Sequence, residues 1–251
     1  MPNSYISIGH GARRVLGLHG WFGSARGWGP FAQVLDRERF TYVFMDYRGY
    51  GGAKQLAGEF TIDEIARDAL ALADHLGWER FSLIGHSMGG KAIQKVALEA
   101  PRRVDKLVAV TPVPAAAVPF DAAGWSLFSS AAHNADARRG IVAYSTGNRL
   151  SSAWVERVVR HSLENSTEAA FAAYLLAWAK SDFAARVQGA AMPVKVIVGE
   201  HDPAITAEVI KATYLVNYPN ASLEVMLNAG HYPMDETPVA LATSVESFLG
   251  A

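Results

Sequence analysis

A serine between glycines in this sequence has the setting of a catalytic nucleophile. Ser87 lies in Gly-His-Ser-Met-Gly at residues 85–89, after the apolar run 81–84 and before a helical pattern at residues 91–100. A sharp turn from a strand into a helix lifts such a hydroxyl clear of a sheet, and the flanking glycines leave that turn open. Free N–H groups at the helix start also favour developing negative charge. The alternative is an ordinary glycine-rich turn with a helix-capping serine.

A histidine and an aspartate farther along the chain are the predicted partners of this serine. A serine hydroxyl is a weak nucleophile, so it needs a base, and the base needs an orienting carboxylate. His231 is the predicted base, because it lies in the turn after the last predicted strand, directly after Gly230. Asp202, in Gly-Glu-His-Asp-Pro, follows the preceding run and is the predicted carboxylate. Glu200 and Asp235 are competing acids, and the alternative for Asp202 is a turn-forming role before proline.

The same chemistry requires two N–H groups that point at the oxygen on which negative charge develops. The N–H of Met88 is one predicted donor, because it lies one residue past the serine at the helix start. The other is predicted in the loop His-Gly-Trp-Phe at residues 19–22, with Trp21 as first choice and Phe22 as second. The alternative for the His-Gly pair is a tight turn that needs a permissive backbone.

Apolar runs and helical patterns alternate along most of the chain. The predicted strands are residues 15–19, 40–45, 81–84, 106–111, 194–198 and 222–227. The predicted helices are residues 28–35, 62–76, 91–100, 205–215 and 239–249. The runs are almost continuously apolar, which is typical of a parallel sheet covered by helices on both faces. The pattern therefore predicts an α/β fold with a mostly parallel, doubly wound sheet, and its motifs lie at the carboxyl ends of strands, where such sheets bind ligands.

The alternation stops between residues 112 and 189, which are rich in alanine and contain no convincing strand. We interpret residues 112–189 as a helical cap inserted into a core formed by residues 1–111 and 190–251. Some of its aromatic side chains are expected to line an apolar substrate pocket, and the alternative is that they only join cap and core. The predicted substrate-contacting residues are Phe22, Trp125, Phe128, Trp154, Tyr174 and Trp178.

Composition excludes several classes of function. The 251 residues are 50% hydrophobic, which suits one large domain with a sizeable core, and the net charge of −1 gives no reason to expect a nucleic-acid partner or an anionic membrane. The chain has no cysteine, so disulfides, thiolate catalysis and cysteine-based metal sites are excluded. We see no secretory signal pattern in residues 1–20 and no apolar run of about 18 residues, and we expect a cytoplasmic protein.

Taken together, these motifs resemble the α/β-hydrolase superfamily over nearly the whole chain. The matching segments are residues 19–20, 46–51, 85–90, 199–202 and 230–231, and the inserted cap lies at the family's cap position. The resemblance implies Ser87 as nucleophile, Asp202 as acid and His231 as base, and it makes residues 46–51 a structural loop. Only residues 5–8 offer an antiparallel strand before the first parallel one, so we expect a shortened sheet edge.

The expected activity is that of a serine carboxylesterase acting on a small or medium apolar acyl or aryl ester, without metal or organic cofactor. The serine at position 87 argues against epoxide hydrolases and haloalkane dehalogenases, which use a carboxylate nucleophile. Hydrolysis of an enol-lactone or a carbon–carbon bond remains an alternative, as does cofactor-free chemistry in which Ser87 only positions substrate. A non-catalytic ligand-binding receptor on the same fold is the alternative of another class. The sequence leaves the oligomeric state open.

Overall fold

A seven-stranded sheet forms the centre of the computed structural model, which describes residues 2–251. The strands are β1 (Tyr5–Ile8), β2 (Arg13–Leu18), β3 (Phe40–Met45), β4 (Phe81–His86), β5 (Val104–Val110), β6 (Val194–Gly199) and β7 (Ala221–Met226). Their order in the sheet is β1-β3-β2-β4-β5-β6-β7. Only β1 is antiparallel to its neighbour, and the other pairs are parallel. The mostly parallel α/β sheet and its shortened antiparallel edge are therefore confirmed.

Burial explains why the strands could be recognised from their apolar runs. The last four residues of β2, β3, β4, β5 and β6 are buried, whereas the edge strands β1 and β7 stay half exposed. A strand that is covered on both faces needs apolar side chains at successive positions. The predicted bounds of β3 agree with the structure, and those of the other parallel strands differ by no more than two residues at either end.

Eleven helices accompany the sheet within residues 2–251. They are α1 (Ile62–His75), α2 (Met88–Glu99), α3 (Ala122–Ser130), α4 (Ala135–Ser145), α5 (Ser152–Glu164), α6 (Glu168–Lys180), α7 (Ala184–Val187), α8 (Ala207–Ala212), α9 (Tyr214–Asn217), α10 (Pro233–Glu236) and α11 (Pro238–Gly250). The helix predicted at residues 28–35 is only a 3-10 turn, Gly29–Gln33, because Gly29 has a φ of 53° and Pro30 follows it. The helix predicted at residues 205–215 is interrupted at Thr213, whose ψ of −76° breaks the helical path.

The start of α1 follows local side-chain chemistry. The hydroxyl of Thr61 accepts a hydrogen bond from the N–H of Glu64 at 3.1 Å, which is one half of a capping box. The carboxylate of Glu64 does not return to Thr61. It accepts from the N–H groups of Glu59 and Phe60 at 3.0 and 2.9 Å, so it fixes the loop that enters the helix.

Helices α3 to α7 lie between β5 and β6 in the chain and form the segment 112–189, which we call the inserted segment. Residues 112–121 lead into it without helix or strand. It meets the loop after β3 through backbone bonds, from Gly51 N–H to Asn165 O at 2.8 Å and from Thr167 N–H to Gly49 O at 2.9 Å. No helix within residues 2–251 combines the length and the apolar character that crossing a bilayer requires.

Candidate active site

Ser87 occupies a strained backbone conformation between β4 and α2. Its φ of 54° and ψ of −116° are rare for a non-glycine residue and cost about 1–3 kcal/mol. The strain is held by backbone bonds, since Ser87 N–H donates to Val110 O at 3.0 Å and Ser87 O accepts from Val113 N–H at 3.0 Å. The flanking glycines are needed because a Cβ on Gly89 would lie 2.0 Å from the carbonyl oxygen of Leu18.

The structure brings the predicted base and carboxylate into contact. Asp202, in the loop that follows β6, is buried, and its Oδ2 lies 2.6 Å from Nδ1 of His231. Its Oδ1 accepts from the N–H groups of Ala204 and Ile205 at 2.9 and 3.0 Å. Burial alone would raise the pKa of Asp202, but His231 and these two N–H groups outweigh it and lower the pKa. An ionised carboxylate here holds the proton on Nδ1 and leaves Nε2 of the imidazole as the basic nitrogen.

Two residues that the sequence analysis missed hold the main chain of His231. The carbonyl oxygen of His231 accepts from Nε2–H of His86 at 2.8 Å and from the hydroxyl of Thr111 at 3.0 Å. Burial and the neighbouring His231 lower the pKa of His86 to about 3, so His86 is a neutral donor. Both residues lie at strand ends, and that position was the only signal in the sequence.

Ser87 and His231 line one cavity, which joins the two halves of the site. The rings of His86 and His231 are 5.1 Å apart, so His231 lies beside the residue that precedes Ser87. The hydrogen bonds of His231 within residues 2–251 go to Asp202, His86, Thr111 and Ser145, and none goes to Ser87. Hydrogen bonds of catalytic groups commonly tighten only when substrate binds.

The loop at residues 19–22 lies against Ser87. A Cβ on Gly20 would be 3.1 Å from Cβ of Ser87, and the loop turns back through a bond from Gly23 N–H to Gly20 O at 2.9 Å. Within residues 2–251 the N–H groups of Trp21 and Met88 donate no hydrogen bond. Trp21 lines the cavity, whereas Met88 directly follows Ser87 in the chain and is not among the lining residues. Burial lowers the pKa of His19, at the start of this loop, to about 4.

The cavity has a volume of about 720 Å³ and mostly apolar walls. Of the predicted substrate-contacting residues, Phe22, Phe128 and Trp178 line it. The other three lie elsewhere. The ring of Trp125 is covered by Nζ of Lys180 at 4.2 Å, and Trp154 packs on Tyr232 at 5.2 Å.

Tyr174 differs most from its predicted place. It is only 1% exposed, and its ring packs among those of Tyr47, Tyr50 and Phe60. Its hydroxyl donates to the carbonyl oxygen of Arg48 at 3.3 Å. Tyr174 therefore joins α6 to the loop after β3. The Ala-rich helix is apolar on most sides, so its sequence gave no sign of which face meets the cavity.

The lining of the cavity also includes the polar residues Arg157, His161 and Asp235. Arg157 on α5 pairs with Asp235 on α10 at 3.1 Å, and Nε2 of His161 lies 3.0 Å from the hydroxyl of Ser24. The two acids that competed with Asp202 in the sequence have other partners than His231. Asp235 pairs with Arg157, and Glu200 accepts a hydrogen bond from the N–H of Asn228 at 3.0 Å. Residues 2–251 contain no group of three or more His, Asp or Glu side chains placed to hold a metal ion.

Comparisons with known proteins agree with this fold. A family model described as alpha/beta hydrolase fold matches residues 13–238. The 3-oxoadipate enol-lactonase 2 of Acinetobacter baylyi is 26% identical over 222 residues, which are 85% of this chain and 80% of that protein. A 2-hydroxy-6-oxononadienedioate/2-hydroxy-6-oxononatrienedioate hydrolase of Pseudomonas putida is 28% identical over 247 residues, 91% of this chain and 84% of that protein.

Solved structures show the same architecture at low sequence identity. An esterase from Exiguobacterium antarcticum superposes with a TM-score of 0.87 over 98% of this chain and 95% of that chain, at 18% identity. At this identity the likeness concerns the fold alone.

Proposed function

The chain belongs to the alpha/beta hydrolase fold family, and on that ground we propose that it is a serine hydrolase of carboxylic esters. Its substrate is a small to medium ester with an apolar acyl or aryl part, which suits the apolar walls of a cavity of about 720 Å³. The observation that carries the proposal is the contact of 2.6 Å between His231 and the buried Asp202, in the cavity that the strained Ser87 also lines.

In the proposed reaction the Ser87 oxygen attacks the ester carbonyl carbon as its proton passes to Nε2 of His231. The carbonyl oxygen becomes an anion and accepts hydrogen bonds from the N–H groups of Trp21 and Met88. When the C–O bond to the alcohol breaks, His231 gives its proton to the leaving oxygen. A water molecule, deprotonated by His231, then attacks the acyl-enzyme and releases the acid and the free serine. Asp202 holds the imidazole in the required tautomer throughout.

A screen of p-nitrophenyl esters of increasing acyl length tests this proposal. We expect wild-type turnover to rise with acyl length until the cavity is filled, because each buried methylene contributes about 0.8 kcal/mol. The Ser87→Ala variant should lose ester turnover by about a millionfold, down to a small residual rate. Ser126→Ala, which changes an exposed serine on α3, is the matched control and should keep full activity. Full activity of Ser87→Ala, with an unchanged circular dichroism spectrum, would remove the nucleophile assignment.

A second candidate is hydrolysis of an enol-lactone or of a carbon–carbon bond in a substrate that carries a carboxylate. The cavity lining favours it, because it includes the guanidinium groups of Arg26 and Arg157, which suit a carboxylate. A substrate carboxylate at Arg157 would replace its ion pair with Asp235. Two relatives of this chain are named for such activities. Lactone and dienone substrates assayed beside the ester series separate the candidates. Labelling of Ser87 by an organophosphate without ester turnover would favour this second candidate.

A further inference from the structure

Trp21 is held by contacts at both its main chain and its side chain. Its carbonyl oxygen accepts a hydrogen bond from the hydroxyl of Tyr50 at 2.9 Å. Its indole N–H donates to the carbonyl oxygen of Phe171 at 2.8 Å, and its ring stacks on the ring of Phe171 at 4.1 Å. Phe171 belongs to α6 of the inserted segment, so the loop beside Ser87 takes part of its conformation from that segment.

A buried arginine lies on the ring of Phe171. The guanidinium carbon of Arg138, on α4, is 3.6 Å from the centroid of that ring, and Arg138 is only 2% exposed. Its Nε donates to Ala131 O at 2.7 Å, and its two terminal nitrogens donate to the Ser162 hydroxyl at 2.9 Å and to Ala132 O at 3.2 Å. Within residues 2–251 its hydrogen bonds go only to these uncharged oxygens. Burial lowers the pKa of Arg138 and outweighs the opposing effects of Tyr50 and Glu168, which reflects the cost of burying a cation that no carboxylate contacts directly.

This arrangement is costly for a residue that only fills space between helices. An apolar side chain of similar volume would pack α4 against α6 without burying a charge. A guanidinium differs from an apolar side chain because it is attracted to the face of the Phe171 ring. It is also fixed by three hydrogen bonds, so it restricts the orientation of that ring. That ring in turn restricts the indole of Trp21. Tyr50 holds the carbonyl of the same residue, and the carbonyl of Gly20, which shares a planar peptide unit with the N–H of Trp21, accepts from the N–H of Gly23.

We infer that Arg138 is a positioning residue for the oxyanion-binding loop. Through Phe171 it sets the orientation of Trp21, and with it the direction of the Trp21 N–H toward the developing negative charge. This inference rests on the proposed ester hydrolysis. It assigns to the inserted segment a part in the chemical step as well as in covering the cavity.

The test compares Arg138→Met with Arg139→Met, using p-nitrophenyl hexanoate. Arg139 is the next residue on α4 and pairs at the surface with Glu156 and Asp136, so its variant controls for loss of an arginine from this helix. We expect Arg138→Met to lower kcat by about tenfold to a hundredfold, because a small misplacement of a transition-state donor has that effect. KM should stay within about twofold, and Arg139→Met should match the wild type.

Inhibitor binding separates positioning from general damage to the fold. Hexylboronic acid forms a tetrahedral adduct with the serine and places an oxygen where the oxyanion lies, whereas hexanoate occupies the pocket without that adduct. Arg138→Met should lower the affinity for hexylboronic acid by the same factor by which it lowers kcat. The affinity for hexanoate should stay unchanged. Arg138→Lys, which keeps a cation near the ring, should recover part of kcat. If Arg138→Met does not fold, Phe171→Leu removes the ring at similar volume and should give the same pattern.

Two results would overturn the inference: an Arg138→Met or Phe171→Leu variant with wild-type kcat and boronate affinity, or one that weakens hexanoate as much as the boronate. Failure of the proposed function would look different. In that case the wild type would hydrolyse no ester, or Ser87→Ala would keep the full rate.

Discussion

The backbone at Ser87 carries strain that surrounding contacts hold in place. Its φ of 54° persists because its main chain forms hydrogen bonds with the main chains of Val110 and Val113. Gly85 and Gly89 leave room for the turn. The opposite side of the site is fixed in the same way, since His86 and Thr111 both donate to the carbonyl of His231. Single residues therefore fix the positions of Ser87 and His231, the two groups that react in the proposed mechanism, and such preorganisation lets an enzyme avoid reorganisation during the reaction.

Asp202 offers the clearest prediction for a single residue. Asp202→Asn keeps the shape of the side chain but removes the charge that holds the proton on Nδ1 of His231. We expect kcat for p-nitrophenyl hexanoate to fall by about ten thousandfold, because the imidazole then adopts the wrong tautomer. Glu200→Gln, which alters the other acid after β6, should keep wild-type kcat. If the two variants lost kcat to a similar extent, or if only Glu200→Gln lost it, Asp202 would not be the carboxylate that orients His231.

Helix α2 is the element that links the proposed nucleophile to the inserted segment. It begins directly after Ser87, and one turn later the ammonium group of its buried Lys91 donates to three carbonyl oxygens of the segment. These are Ala116 O at 3.0 Å, Trp178 O at 2.8 Å and Ser181 O at 2.6 Å. Two of them lie at the C-terminal end of α6, where a helix favours positive charge. The same helix α6 carries Phe171, which contacts Trp21, so α6 meets both α2 and the loop beside Ser87.

This junction predicts a pH dependence of stability. Burial lowers the pKa of Lys91 to about 8 from 10.5, partly opposed by Asp182. The unfolded chain therefore binds more protons at Lys91 between these two pH values, so the free energy of unfolding should rise with pH there, by up to about 1.4 kcal/mol per pH unit. The stability that Lys91 gains by being uncharged in the folded protein is fully present above pH 10.5. It is lost as the pH falls through about 8.

Urea unfolding of the wild type and of Lys91→Met at pH 7, 8, 9 and 10 measures this effect. The difference in unfolding free energy between the two proteins should grow with pH. Lys211→Met, which changes an exposed lysine paired with Glu208, is the control for loss of a surface lysine. A pH-independent difference for Lys91→Met would mean that Lys91 titrates in the folded protein as it does in the unfolded chain.

Across the full chain, the architecture could be predicted from sequence far better than the contacts between its parts. Buried strands such as β3 appear in the sequence as almost continuous apolar runs, and a glycine pattern marks the turn at Ser87. The edge of the sheet and the motifs along it could therefore be predicted from the sequence. The roles of Thr111 and Arg138 were not visible, because they depend on which atoms meet across distant elements. The directions in which Trp154 and Tyr174 point could not be predicted either, because periodicity on an alanine-rich helix does not identify the side that meets the cavity.

In the proposed reaction, His231 activates Ser87, and Ser87 becomes covalently acylated. Rapid mixing of the protein with p-nitrophenyl hexanoate, followed by acid quenching and intact mass analysis with peptide mapping, detects such an acyl-enzyme. We expect a burst of p-nitrophenolate and an acyl mass added once per chain on the peptide that contains Ser87, with no such adduct in Ser87→Ala. Turnover without any adduct on Ser87, or an acyl group found on another residue with the same kinetics, would contradict the proposed reaction.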